Sequence, residues 1–219
     1  MCFSATASFT ASIALTIISI LACKKATQCA TFVLACSPLI FAIQQASEGF
    51  LWLSLSYPSW NVLQTPATYF FLFCALAWWP VWIPLTLTFL EPHLMKKKIL
   101  INLLTFGIFF SLYMLFCIGT YGATASITNC FSDVCHMHYA LEIPGNTYSL
   151  LGALYLIPAV LPFFVSSIWG MNVLGATISV AYALSYIFYS MHFLSIWCFF
   201  AALLSLMIFA IVNRIESRR

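Results

Sequence analysis

Charged residues are what this sequence has least of. Asp, Glu, Lys and Arg make up only 6% of its 219 residues, whereas 63% are hydrophobic. So few charges cannot cover a water-soluble surface, which excludes a soluble globular protein. A P-loop, a glycine-rich nucleotide motif and a basic patch with interleaved aromatics are also absent, which argues against nucleotide and nucleic-acid binding. The composition therefore predicts a multi-pass membrane protein.

Seven segments are long and apolar enough to cross a bilayer, which takes about 20 residues of helix. We therefore predict an all-α fold, a single domain over residues 1–219. A basic segment before the first apolar run is absent, so we expect the first helix to be retained rather than cleaved as a signal peptide. The predicted spans cover residues 4–23, 31–55, 67–90, 99–119, 149–168, 172–191 and 192–212.

The basic residues are confined to three short clusters, and these orient the predicted bundle. Basic short loops stay on the cytoplasmic side of a membrane. Seven spans bring all three clusters to that side, with the N-terminus outside and the C-terminus inside. The clusters are Lys24/Lys25, Lys96/Lys97/Lys98 and Arg214/Arg218/Arg219.

Glu48 is the one acidic residue inside a predicted span, in its outer half. With Gln44, Gln45 and Trp52 it forms one polar and aromatic face at helical spacing. An ionisable group at the centre of a membrane helix costs about 2.5–3.5 kcal/mol on insertion scales, so it normally faces the interior and has a partner. Two interpretations stay open: a hydrogen bond that ties two helices together, and a site for a ligand, a proton or a metal.

Histidines are the candidate partners of Glu48, because no Lys or Arg lies on the outer side. His192 begins the last predicted span, and His136 and His138 lie in the outer loop before the fifth span. Thiolate, imidazole and carboxylate ligands suit a transition metal such as zinc or copper. The predicted metal ligands are Cys2, Glu48, His138 and His192. The predicted ligand pocket comprises Gln44, Gln45, Glu48, Trp52, Tyr189, Ser195 and Cys198.

Two further cysteines lie close together in the outer loop. Cys130 and Cys135 are five positions apart, which suits a local disulfide if that side is oxidising. The run Cys135-His136-Met137-His138 offers soft-metal capture as an alternative. Free thiols are the third possibility.

Four stretches carry a resemblance to a known family: Met1–Phe9, Phe41–Gly49, Trp79–Trp82 and Ser195–Ala202. In these the chain resembles a family of bacterial seven-helix membrane proteins that open with an MCFSA-type peptide and have no characterised function. The resemblance implies the span count and a bacterial inner-membrane setting. It implies no reaction.

Other seven-helix classes fit poorly. A retinal pigment needs a Schiff-base lysine in its last helix, and membrane hydrolases of the ceramidase type need two histidines there, whereas this chain has only His192. The sequence leaves three functions open. The first is a bundle that binds a metal or small ligand in its outer half, where a metal could activate water for catalysis. The second is a transporter with Glu48 as a proton or cation relay, and the third is an assembly partner without a ligand.

Overall fold

The computed structural model describes residues 4–131, 134–143 and 148–218. This part of the chain is mostly helical, with one β-hairpin between its sixth and seventh α-helices. The α-helices are α1 (Ala5–Lys25), α2 (Cys29–Ala35), α3 (Ser37–Ser56), α4 (Gln64–Leu72), α5 (Trp79–Leu90), α6 (Leu94–Tyr121), α7 (Tyr148–Val165), α8 (Met171–Phe188), α9 (Phe193–Leu204) and α10 (Met207–Ser217). The strands are β1 (Ala123–Phe131) and β2 (Val134–Leu141).

Several of these helices follow one another without a break and form longer helical segments, which we call rods. Among the described residues, six segments are long and apolar enough to cross a membrane, and a seventh, Ser149–Val165, is apolar but shorter. All seven overlap the segments predicted from sequence. The six long segments are Ala5–Lys25, Cys29–Ser56, Pro58–Leu90, Leu94–Tyr121, Met171–Phe188 and Phe193–Ser217.

The β-hairpin departs from the predicted all-α fold. Strands β1 and β2 pair antiparallel, with Ser126 opposite His138 and Thr128 opposite His136. Side chains alternate between the two faces of a strand. Met137 is buried while His138 is only partly buried, so the hairpin lays an apolar face on the bundle. Strand pairing satisfies its backbone groups without a helix.

One rod contains a π-helical turn, Phe73–Trp78, immediately before Trp79 and Pro80. Pro80 has no amide N–H and its ring crowds the carbonyl four residues earlier, so a wider turn accommodates it. Carbonyls of this turn accept side-chain hydroxyls instead: Tyr155 donates to Ala75 O at 2.8 Å and Ser111 donates to Ala77 O at 2.7 Å. The π turn thereby fixes α6 and α7 against this rod.

Glu91 ties two loops at the end of the bundle opposite the hairpin. Its carboxylate accepts backbone N–H groups from Ser167 at 2.7 Å and from His93 at 3.2 Å. Burial raises the pKa of the Glu91 carboxyl, but these hydrogen bonds outweigh burial and hold the pKa below its usual range. The α5–α6 and α7–α8 connections therefore lie side by side.

The C-terminal helix reaches the same end. Arg214 lies over the Trp169 ring, 5.3 Å from its centroid, in the α7–α8 connection. Thr27, between α1 and α2, donates a hydrogen bond to Glu216 at 2.5 Å. Together with the Glu91 contacts, these bonds bring the lysine pair that ends α1, the three lysines that open α6 and the basic end of α10 to one end of the molecule.

Two hydrophobic clusters form the core. The larger cluster runs through the bundle and includes Leu15, Leu100 and Met171, each at most 1% exposed. The second lies under the hairpin, where Tyr139 stacks on Phe71 with ring centroids 4.6 Å apart. The hairpin is thus packed onto the helices and forms the roof of the site described next.

Candidate functional site

The predicted polar face of α3 lies inside the bundle. Gln44, Gln45 and Glu48 have no exposed surface, and Trp52 is 5% exposed. Their spacing places all four on one side of the helix. The sequence pattern therefore identified a buried face that brings polar groups into the core.

Ser195, in the first turn of α9, is the hydrogen-bond partner of Glu48. Its hydroxyl donates to Glu48 Oε1 at 2.5 Å. Tyr139 of β2 lies beside the same carboxyl group. Glu48 therefore lies where α3, α9 and the hairpin meet.

Several buried polar atoms on this face make no hydrogen bond within the described structure. Gln44 Oε1 accepts from Trp79 Nε1 at 2.8 Å, and Cys198 lies beside the Gln44 amide. The Gln45 amide lies beside the Glu48 carboxyl group but makes no well-formed hydrogen bond. Leaving such a buried group unsatisfied costs about 1–3 kcal/mol. Unpaired groups of this kind are retained where they serve a ligand, an ion or internal water.

A histidine cluster lies beside this polar face, between the hairpin and α9. His192 is 5% exposed and its Nε2 is 2.8 Å from Thr128 Oγ1 of β1. Its ring centroid is 4.8 Å from that of His136 and 6.2 Å from that of His138. Because His136 and His138 are two apart on β2, they share one face of the hairpin, and that face meets His192.

Two imidazoles of the cluster, those of His136 and His192, favour the neutral form. Burial lowers the pKa of His136. Burial also lowers the pKa of His192, and the neighbouring His136 and His138 lower it further. Both rings are therefore uncharged at neutral pH, each with a lone pair that can bind a metal or accept a hydrogen bond.

A cavity of about 730 Å³ opens beneath the hairpin. Helices α6 to α9 form its walls with apolar and aromatic side chains, including Met114, Leu156 and Tyr186. His138, Tyr139 and His192 bring polar groups to its roof. Among the described residues that line it, none is Asp, Glu, Lys or Arg.

A smaller cavity of about 60 Å³ lies deeper in the bundle. Trp79 and Trp82 line it, so these tryptophans of the third predicted span face the interior rather than an interfacial belt. Tyr155 and Trp197 line both cavities and stand between them, with ring centroids 5.4 Å apart.

The other predicted site residues fall near these features. Cys198, one turn beyond Ser195, lines the deeper cavity, and the Tyr189 ring lies 5.7 Å from the His136 ring. His192 bonds to Thr128, whereas the bond expected from it to Glu48 comes from Ser195. Cys2 lies outside the described residues. Cys135 is disulfide-bonded; the side chain of Cys130 lies outside the described part, so their pairing stays a prediction.

The predicted metal set is not assembled in the part of the chain that the structure describes. No three His, Cys, Asp or Glu side chains there converge as a ready metal site. The predicted ligands His138 and His192 are neighbours, while Glu48 is held by Ser195.

Three residues of the site were not in the predicted set: Thr128, His136 and Tyr139. The alternation of residues 135–139, in which His136 and His138 flank the buried Met137, is typical of a half-buried strand and would have placed both histidines on one face. Nothing local to Thr128 marks it as the partner of a residue 64 positions away.

The chain belongs to DUF6629, a family of unknown function whose model matches residues 1–219. No curated protein and no solved structure shows a significant match to the chain. Its function therefore has to be argued from the residues of its own site.

Proposed function

We propose that this member of the family is a plasma-membrane protein of seven spans that binds a small, uncharged, amphipathic molecule from the outer side. The single observation that carries this proposal is the cavity of about 730 Å³ beneath the hairpin. Ligand pockets are typically about 300–1,000 Å³, mostly apolar, with a few polar groups that orient the ligand.

The cavity lining defines the ligand's chemistry. A charged ligand would need an opposite charge, and none is present among the described lining residues. Apolar and aromatic walls suit a hydrophobic body. The imidazoles of His138 and His192 suit one hydrogen-bonding end, such as a carbonyl or hydroxyl group.

The seven-span topology rests on where the charges and the shorter helix lie. The basic clusters share one end of the bundle, and basic ends stay in the cytoplasm. The hairpin and the cavity mouth are then outside. Helix α7 has 18 residues, about 27 Å at 1.5 Å per residue, which nearly matches the hydrocarbon thickness of about 30 Å.

The topology predicts opposite results at two fusion sites. Reporters fused after Arg219 should be active only if they work in the cytoplasm, whereas reporters inserted at the hairpin turn should be active only if they work outside. A periplasmic reporter that is active at the C-terminus would contradict both the orientation and the outward-facing cavity.

Filling the cavity should weaken ligand binding. Leu156 of α7 lines the cavity, so Leu156→Trp should lower affinity for the neutral probe N-phenyl-1-naphthylamine at least tenfold, because the indole occupies the ligand's space. Energy transfer from tryptophan to the probe, measured in nanodiscs, reports binding. Leu150→Trp is the matched control, because Leu150 is 59% exposed on the same helix and does not line the cavity.

The comparison between these variants decides the proposal. The control should bind the probe as the unmodified protein does, with empty nanodiscs as background. Equal binding by Leu156→Trp and Leu150→Trp, with both proteins folded, would show that the probe does not use this cavity.

Transport of the same molecule is the second candidate function. Tyr155 and Trp197 form the shared wall of the two cavities, so movement of these rings would join the outer cavity to the interior of the bundle. Glu48, packed beside α9, could then serve as a proton relay. Probe uptake by sealed proteoliposomes, beyond binding at their surface, would distinguish transport from binding.

A further inference from the structure

We propose that Cys23 and Cys36 form a redox-active dithiol, a modification site that a low-molecular-weight disulfide converts reversibly into an intramolecular disulfide. The pair lies toward the basic end of the bundle, and neither cysteine lines the two cavities described above. The dithiol therefore does not depend on the proposed ligand binding. Only the compartment that it faces rests on the proposed topology.

Two helical segments bring the thiols into contact. Cys23 lies in the last turn of α1, and Cys36 lies between α2 and α3. Their sulfur atoms are 3.9 Å apart. A disulfide bond is about 2.05 Å long, so each sulfur has to move by only about 0.9 Å. Rotation of the two side chains about their Cα–Cβ bonds moves the sulfurs along such a path.

A buried hydrogen bond keeps the two segments together at this point. Ser19, one turn before Cys23 on α1, donates from its hydroxyl to Ala35 O at 2.8 Å. Ser19 and Ala35 are each at most 1% exposed. The backbone N–H of Cys36 donates to Phe32 O at 3.0 Å and so continues α2 up to the cysteine. The contact between the sulfurs is thus fixed by helix packing and does not require a bond between them.

Accessibility distinguishes the pair from most other free cysteines of the described chain. Cys74, Cys117 and Cys198 are buried, whereas Cys23 and Cys36 are both partly exposed. A small disulfide can therefore reach the pair. In the orientation proposed above, the pair lies toward the cytoplasm, where thiols are kept reduced and disulfides are usually transient and serve redox sensing or catalysis.

The reaction is a thiol–disulfide exchange with a small disulfide such as oxidised glutathione. The Cys23 thiolate, next to the exposed Lys24, attacks one sulfur of the small disulfide, breaks its S–S bond and releases one small thiol. The Cys36 thiolate then attacks the Cys23 sulfur of the mixed disulfide and releases the second small thiol. The two protein thiols are oxidised to one disulfide, the small disulfide is reduced, and the two protons pass to its thiols.

The new bond would constrain the connection between α1 and α2. It closes a loop over residues 23–36, which contains Thr27, the hydrogen-bond partner of Glu216 on α10. A disulfide stabilises a protein mainly by constraining its unfolded state. Oxidation should therefore raise the midpoint of thermal unfolding, and reduced glutathione should return it to its starting value.

Peptide mapping by mass spectrometry tests the site in the full-length protein in nanodiscs. The protein is equilibrated with oxidised glutathione, and the remaining thiols are blocked with N-ethylmaleimide. Cys23 and Cys36 should be recovered as one cross-linked pair of peptides, and reduced glutathione should restore both thiols. Cys36→Ser should abolish the cross-link, leave glutathione on Cys23 and remove the rise in unfolding midpoint. Cys29→Ser is the matched control, because Cys29 is exposed on the neighbouring α2, and it should keep the cross-link.

The outcomes separate the dithiol from the ligand cavity. Recovery of Cys23 and Cys36 as two separate adducts, under conditions that modify Cys29, would overturn the proposal. Loss of the cross-link in Cys29→Ser would also overturn it, because Cys23 would then pair with Cys29. If Cys36→Ser fails to fold, the unmodified protein and Cys29→Ser still decide the pairing. Binding of N-phenyl-1-naphthylamine, measured in the same preparations, reports the cavity independently.

Discussion

Replacing Gly107 by alanine should lower the free energy of unfolding by about 1–3 kcal/mol, the cost of overpacking a well-packed core. A Cβ at Gly107 of α6 would lie 2.0 Å from the carbonyl oxygen of Pro80 and 3.1 Å from Cβ of Pro158. The nearest obstacle is backbone, which cannot rotate away as a side chain can. Helices α5 and α6 would have to separate, and the hydroxyl bonds that fix the π turn would weaken with them.

Gly119→Ala is the matched control for this prediction. Gly119 is on the same helix, and a Cβ there would meet nothing within 4 Å. Alanine favours the helix over glycine by about 0.5–1 kcal/mol, so the control should be neutral or slightly stabilising. Thermal unfolding of both proteins in one detergent measures the difference. If Gly107→Ala proved as stable as Gly119→Ala, the close approach of α5 and α6 would be wrong.

The positions of the helices could be predicted from sequence because membrane helices need long apolar runs. The predicted segment 99–119 lies wholly within α6, and the predicted segment 67–90 ends at Leu90, where α5 ends. The π turn could be anticipated only as a bend at Pro80. Its partners, Tyr155 and Ser111, depend on how three helices pack, and a single sequence does not contain that information.

The hairpin could not be found by counting apolar runs, because a strand of eight or nine residues is too short to resemble a span. Its signal in the sequence was the alternation of apolar and polar residues with a period of two, rather than the helical period of 3.6 residues. Missing it left His136 and His138 in an unstructured loop, so the sequence could not say which of them would meet His192. Once β2 is a strand, both histidines share a face and the cluster follows.

The four residues of the predicted polar face of α3 are buried together, because helical spacing alone fixes which residues share a side. The partner of Glu48 was predicted less well. Elimination asked for a positive or hydrogen-bonding partner and pointed to His192, although Ser195 was already in the predicted pocket. A serine hydroxyl satisfies a buried carboxyl equally well at close range, and Ser195 is one turn further along the same helix.

Glu48→Ala should be among the most destabilising single substitutions, with a loss of about 2–4 kcal/mol, because it leaves a cavity and removes a buried hydrogen bond. Glu48 has no exposed surface, and its carboxyl group joins α3 to α9 through Ser195. Glu48→Gln keeps the side-chain shape and an oxygen acceptor, so it should lose no more than about 1 kcal/mol. Thermal or denaturant unfolding in detergent measures both changes.

A double-mutant cycle with Ser195→Ala isolates the hydrogen bond from the cavity. The two residues touch directly, so their effects should not add, and we expect a coupling energy of about 1–2 kcal/mol, near the upper end for hydrogen bonds between membrane helices. The control pair is Glu48→Ala with Ser217→Ala, since the Ser217 hydroxyl donates to Asn213 within α10, far from Glu48, and that coupling should be close to zero. Additive effects of Glu48→Ala and Ser195→Ala would mean that the Glu48 carboxyl group does not stabilise the packing of α9 on α3.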